Sequence, residues 1–253
     1  MATLILARHG RTTANATGVL AGRSKGVGLD EHGLGEARSM AERLAGLPLS
    51  ALVTSPLQRC RETAREIGRL QDGGATAVSE RRLLECDYGS WTGQDLKALA
   101  KEPLWGAVQA HPSSVTFPEG ESMAQMMARS VSAVRDWDAR VEAEHGPDAV
   151  WVAVTHGDVI KSVLADALGM HLDLFQRIAV DPASLSVVRY TPMRPFVLSV
   201  NSVAGDMSGL KPPKKKRTRR GRHDSDAAVG GGAGSGPATT RPRTQGRGAS
   251  AKP

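Results

Sequence analysis

The chain has 253 residues, with 33 Lys plus Arg against 26 Asp plus Glu and a formal net charge of +7. That charge is lopsided: residues 1–210 carry 21 basic and 24 acidic side chains and all nine aromatics, whereas residues 211–253 carry 12 basic and 2 acidic ones, one large aliphatic (Val229) and 13 Gly plus Pro. Two cysteines, Cys60 and Cys86, exclude a disulfide framework and a zinc-ligand pattern, and no apolar run is long enough to span a bilayer.

The expectation is an acidic α/β body, residues 1–205, large enough to bury one core, followed by a basic tail, residues 206–253. Such a tail cannot bury enough apolar surface to offset its ordering entropy and should be disordered. The start of the chain lacks the basic and apolar regions of a signal peptide. With few cysteines, this points to the reducing cytoplasm.

In chain order, residues 3–7 form a short apolar run ended by Gly10 and read as a buried strand. Residues 35–44 place Ala37, Met40, Ala41 and Leu44 at helical spacing. Residues 51–54 read as a second strand, and residues 57–70 as a helix announced by Ser55-Pro56. Residues 76–79 are a weak third strand. Residues 83–120 show little period, with Gly, Pro and Trp scattered through them. Gly120-Glu121-Ser122 reads as a loop entering a long helix at 122–144, with Glu121 in its first turn, where an acid suits the macrodipole. Residues 149–155 are a nearly continuous apolar run, which suits a strand covered on both faces of a parallel sheet. A helix at 157–168 follows, then strands at 185–190 and 196–200 around a turn at 191–195. Alternation of this kind predicts a three-layer α/β/α sandwich on a mostly parallel sheet.

In such sheets ligands sit beyond the carboxyl ends of the strands. Polar residues cluster there: Arg8 and His9 after the first strand, Ser55 and Arg59 after the second, and His156 after the strand at 149–155. Glu85 follows the apolar pair Leu83-Leu84. Two guanidinium forks match phosphate geometry, a neutral imidazole is a nucleophile, and a carboxyl group in an apolar place can hold a proton for a leaving group. The set predicts metal-free phosphoryl transfer through phosphohistidine. It has neither the Gly-rich loop of a nucleotidase nor a metal-ligand cluster.

At these residues the sequence resembles a known family. Arg8-His9-Gly10-Arg11-Thr12, followed by Asn15, is similar to the signature of the histidine phosphatase superfamily, the phosphoglycerate mutase-like proteins. The stretches beginning Thr54-Ser55-Pro56-Leu57-Gln58-Arg59 and Leu84-Glu85-Cys86-Asp87-Tyr88-Gly89 are similar to its next blocks. Pro118-Glu119-Gly120-Glu121-Ser122 and Thr155-His156-Gly157 complete them in order. The resemblance covers about residues 3–200. It implies His9 as the nucleophile, with Arg8, Arg59 and His156 on the phosphoryl oxygens. Glu85 is the implied proton donor, and Asn15 and the Gly157 N–H add phosphate contacts. No cofactor is implied.

The first expectation is a phosphatase acting on a small phosphorylated substrate. The alternative is a phosphomutase primed by a bisphosphorylated compound, although the segment between Glu85 and His156 looks shorter than in the true mutases. A third reading, of another class, is a nucleic-acid-binding module acting without sequence preference through the eight basic residues of 211–222. Arg11 is placed on the rim of the substrate site, and Asp87 competes with Glu85 as the acid. Trp91, Trp105 and Phe117 are set either against the site or in the core. Cys60, Cys86, Met123, Met126 and Met127 read as core, and His32, His111, His145 and His171 as surface or structural residues. The tail is expected to be dispensable for turnover.

Overall fold

In the computed structural model, which describes residues 2–204 and residue 230, the first apolar run forms β1 (Thr3–Arg8). A short helix, α1 (Thr13–Thr17), precedes α2 (Glu31–Leu44). α2 starts ahead of the expected residue 35 because Asp30 caps it, its side chain accepting from the Gly33 N–H. β2 (Leu49–Thr54) leads into α3 (Gln58–Arg69), and the weak strand shortens to β3 (Val78–Ser79). The irregular stretch holds 3₁₀ turns at Arg81–Leu83, Gly89–Trp91 and Pro112–Ser114 and two short helices, α4 (Leu96–Leu99) and α5 (Leu104–Ala110). Then come α6 (Met123–His145), β4 (Val150–Thr155), α7 (Gly157–Ala167), a 3₁₀ segment at Leu172–Arg177, β5 (Leu185–Arg189) and β6 (Phe196–Ser202).

The six strands form one sheet in the order β3-β2-β4-β1-β5-β6. β1 to β4 run parallel, and β5 lies antiparallel to both of its neighbours. The sheet is covered on both faces, as the continuous apolar runs require. Along β1 the period of two divides the core: Leu4 and Leu6 join the cluster that includes Val134, Val163 and Phe175, while Ile5 and Ala7 join Met40, Leu44, Ala64 and Ile67. α6 and α7 therefore pack on one face and α2 and α3 on the other.

From β1 the chain crosses to β2 on one side, and from β4 it crosses to β5 on the other. The switch point lies between β1 and β4, where ligand crevices form in such sheets. No helix among the described residues is long and apolar enough to cross a membrane. The disorder expected of the tail, and the nucleic-acid contact expected at 211–222, lie outside the described residues.

Candidate active site

The register of the two central strands assembles the two histidines. Arg8 pairs with Thr155 across the β1–β4 ladder, so the next residues, His9 and His156, emerge side by side at the carboxyl end. Their ring centroids are 5.3 Å apart, and both side chains are buried. Behind His9 the chain runs so close to the start of α2 that a Cβ on Gly10 would strike the Gly33 carbonyl oxygen; this is why a glycine follows His9. The His9 Nδ1 lies 2.8 Å from the Gly10 carbonyl. A carbonyl can only accept, so Nδ1 carries the proton and Nε2 keeps its lone pair. Burial, then the charges of Arg59 and Arg8, hold the His9 pKa well below its ordinary value, so this ring is neutral near pH 7.

Arg59 lies in the first turn of α3 and is buried. Its Nε donates to the His9 Nε2 (3.2 Å), and its Nη2 donates to the Gly22 carbonyl (2.8 Å) and to the His156 Nδ1 (3.2 Å). The His156 Nε2, 2.7 Å from the Ser55 hydroxyl, is then the protonated nitrogen. Burial, with Arg59 and His9 nearby, lowers the His156 pKa as well. The Arg59 Nη1 is buried and has no hydrogen-bond partner among the described residues. A buried donor left unpaired is costly unless a ligand takes its bond. Arg8 is fully buried and donates to the Val180 carbonyl at 2.7 Å.

Glu85 forms a third wall of the cleft, opposite no strand end: Leu83 closes a 3₁₀ turn, and Glu85 arrives on a loop. Its carboxyl group is pushed up to about 7, first by burial and then by the charge of Asp158. Asp158, in the first turn of α7, is buried and accepts the Tyr88 hydroxyl at 2.7 Å. Its other oxygen lies 3.6 Å from the Lys161 ammonium.

Two arginines clamp the Glu85 loop. The Glu85 carbonyl accepts from the Arg23 Nε (2.9 Å) and the Arg129 Nη2 (3.1 Å). The Glu121 carboxylate joins them, taking Arg23 (2.8 Å), Arg129 (2.6 Å) and the Asp87 N–H (2.8 Å) on one oxygen. Because Gly22 receives Arg59 and Arg23 holds Glu85, the loop at 22–23 ties the anion clamp to the carboxyl group. The expected place of Glu121 in the first turn of the long helix is corrected: it precedes the Ser122 cap and serves these arginines instead.

The cleft wall contains His9, Thr12, Asn15, Arg59 and Glu85, with Leu20, Tyr88 and Leu96 opposite. Arg8 and His156 are fully buried and do not line the cleft. Asn15 is engaged through its Oδ1, which accepts from the Thr12 N–H and hydroxyl. Gly157 opens α7 directly after His156, at a helix N-terminus that favours an anion. Arg11 is not brought to the cleft: its Nε pairs with Asp30 at 2.9 Å. Asp87 pairs with Arg23 and does not face the cleft.

The tryptophans resolve as core. Trp91 stacks on Trp105 at 6.1 Å and meets Phe117 at 5.3 Å. Cys60 and Cys86 are buried thiols whose ionisation burial opposes, the first pushed up to about 12. Met123 and Met126 are core, with Met127 packed against them, and His32, His111, His145 and His171 are exposed. Among the described residues no cluster of three His, Cys, Asp or Glu side chains could hold a metal ion. The clamp residues Arg23 and Arg129, together with Asp158, gave no signal of their own in the sequence.

A family model described as the histidine phosphatase superfamily (branch 1) matches residues 4–203. Phosphoserine phosphatase 1 from Hydrogenobacter thermophilus is 30% identical over 207 residues, covering 79% of this chain and 92% of that protein. A probable phosphoglycerate mutase GpmB from Yersinia pestis is 29% identical over 224 residues, 87% of this chain and 100% of that protein. Among solved structures, phosphoserine phosphatase from Entamoeba histolytica in complex with 3-phosphoglyceric acid superposes with a TM-score of 0.71 at 22% identity, covering 80% of this chain and 98% of the other. A mycobacterial glucosyl-3-phosphoglycerate phosphatase in complex with VO3 gives 0.71 at 24%, covering 79% and 99%. At those identities the two structures establish the fold. The family model spans most of the length, and the first relative is matched nearly end to end; the chain belongs to the histidine phosphatase superfamily.

Proposed function

We propose that this enzyme hydrolyses a small phosphomonoester through a phosphohistidine on His9, without a metal ion. The observation that carries this reading is the buried Arg59 guanidinium, whose Nε already meets the His9 Nε2 while its Nη1 lacks a partner among the described residues. A phosphoryl oxygen placed there would take both the Nη1 and the Nε donors, which releases the His9 Nε2 lone pair to face the phosphorus. Arg8 and Arg59 supply the positive charge that the equatorial oxygens need.

In the first step the His9 Nε2 bonds to phosphorus, the P–O ester bond breaks, and the leaving oxygen takes the Glu85 proton. In the second, water attacks phosphorus, gives its proton to the Glu85 carboxylate, and breaks the N–P bond. A carboxyl group titrating at about 7 suits both directions of that transfer.

The relative named as a mutase, matched along 100% of its length, keeps a phosphomutase as the second reading. A panel of phosphate esters, assayed with and without a bisphosphoglycerate primer, separates the two. Inorganic phosphate released at full rate without primer is the expected result. Phosphoryl transfer only when primer is present would establish the mutase instead.

The arginine clamp gives a further expectation. Arg129→Met frees the Glu85 and Leu84 carbonyls from a guanidinium and should let the acid drift. Misplacement of a catalytic group by about 1 Å can cost on the order of 10²-fold, so kcat should fall by about that factor with KM little changed. Steady-state kinetics on a variant shown by circular dichroism to be folded would check it.

A further inference from the structure

Gly230 lies 26 positions beyond the last described residue of the body, Ala204, yet it forms part of the cleft wall with His9, Arg59 and Glu85. Its N–H donates to the Asp158 Oδ2 at 3.2 Å, the same oxygen that accepts the Tyr88 hydroxyl at 2.7 Å. Two features make this a place for glycine. Its φ is +69°, in the left-handed region. A Cβ there would also lie 2.8 Å from the Leu20 Cδ1 and 3.6 Å from the Tyr88 hydroxyl.

The cavity lined by His9, Arg59, Glu85, Tyr88 and Gly230 is about 20 Å³. That is room for about one water, far less than a phosphoryl group and its alcohol. We propose that the Leu20–Tyr88–Asp158 face is a binding site for the chain's own glycine-rich segment at Gly230. Gly230 occupies the cleft beside Glu85 and Tyr88 and competes with substrate there. This inference rests on the phosphomonoester reading of the same cleft. It departs from the expectation that the tail has no part in turnover.

The contact at Gly230 is one hydrogen bond and a small apolar touch, so it is weak by itself. The intervening chain makes it intramolecular, with an effective concentration on the order of millimolar. Competition of that strength is reversible and raises KM without lowering kcat.

The test uses the full chain. Gly230→Val adds a branched side chain that strains φ and strikes Leu20, so the segment leaves. KM for p-nitrophenyl phosphate should fall about threefold to tenfold, with kcat unchanged. An unchanged or higher KM, or a lower kcat, would overturn the proposal; the last would make the segment a catalytic lid.

Hydrogen exchange reads the same contact without turnover. The backbone of residues 19–23 should take up deuterium faster in G230V than in the wild-type chain, and equal uptake would overturn the proposal. If neither protein hydrolyses any phosphate ester while the exchange difference persists, the phosphatase reading fails and the segment's binding stands.

Discussion

Replacing His9 by alanine should abolish hydrolysis of every phosphomonoester the enzyme takes, a loss of about 10⁴-fold or more, since removing a nucleophile costs up to about 10⁶ in kcat. Binding should respond differently. Arg8, Arg59 and His156 remain in H9A, and Arg59 gains a free Nε because its acceptor is gone. Inorganic phosphate, followed by calorimetry, should therefore bind within a few-fold of the wild-type affinity. The fold should also survive, because the His9 ring's closest bond is to the neighbouring carbonyl of Gly10. In the wild-type chain, rapid quenching with labelled substrate should trap an acid-labile phosphate on His9. An acid-stable adduct, or turnover persisting in H9A, would move the nucleophile elsewhere.

How early such a site shows itself depends on whether its parts are local in the chain. His9 and His156 were legible because an apolar run that must be a central strand ends on each of them, with a glycine next. Strand register then brings them together without further information. Arg59 was legible because Ser55-Pro56 fixes a helix start and so selects one arginine from Arg59, Arg61 and Arg65. The clamp on Glu85 was not legible. Arg23 reaches Glu121 across 98 positions and Arg129 reaches Leu84 across 45, and each arginine alone has the pattern of a solvated side chain.

The same reason hid Asp158, which in sequence is an ordinary acid in a helix's first turn and in space is the charge that, after burial, pushes Glu85 up. Periodicity failed between residues 83 and 120 because α4 and α5 are too short to show a stripe. Their aromatic contacts are long-range, so Trp91 and Trp105 could not be assigned to core or cleft beforehand. Arg11, inside the signature stretch, is drawn away by Asp30, a partner fixed by the capping of α2.

Glu85→Gln should separate the two chemical steps. The amide cannot protonate a leaving oxygen, so alkyl phosphates should lose about 10²- to 10⁴-fold in kcat/KM. An ester whose leaving group departs as a stable anion, such as p-nitrophenyl phosphate, needs no proton and should lose little in the first step. The second step still lacks its base, so phosphohistidine should accumulate. Stopped-flow absorbance should then show a burst of about one nitrophenolate per active site followed by slow turnover; the absence of a burst together with equal losses on both ester classes would remove Glu85 from the proton transfer.

Wild-type pH dependence follows the same group. The acid form is needed first, so kcat/KM for alkyl phosphates should fall as pH rises through about 7, while the neutral His9 sets a limb well below its ordinary value. Stability carries the opposite signature in the variant. The folded pKa of Glu85 is raised above its unfolded value, so its protonated form contributes stability that is fully present below the unfolded pKa and is lost as pH rises through about 7. The amide that replaces the carboxyl group in E85Q has no proton to lose, so the variant should gain in Tm over wild type at pH 8 relative to pH 5. A residue that costs stability at working pH while carrying the proton for catalysis is the pattern expected where a carboxyl group is buried for its chemistry rather than for packing.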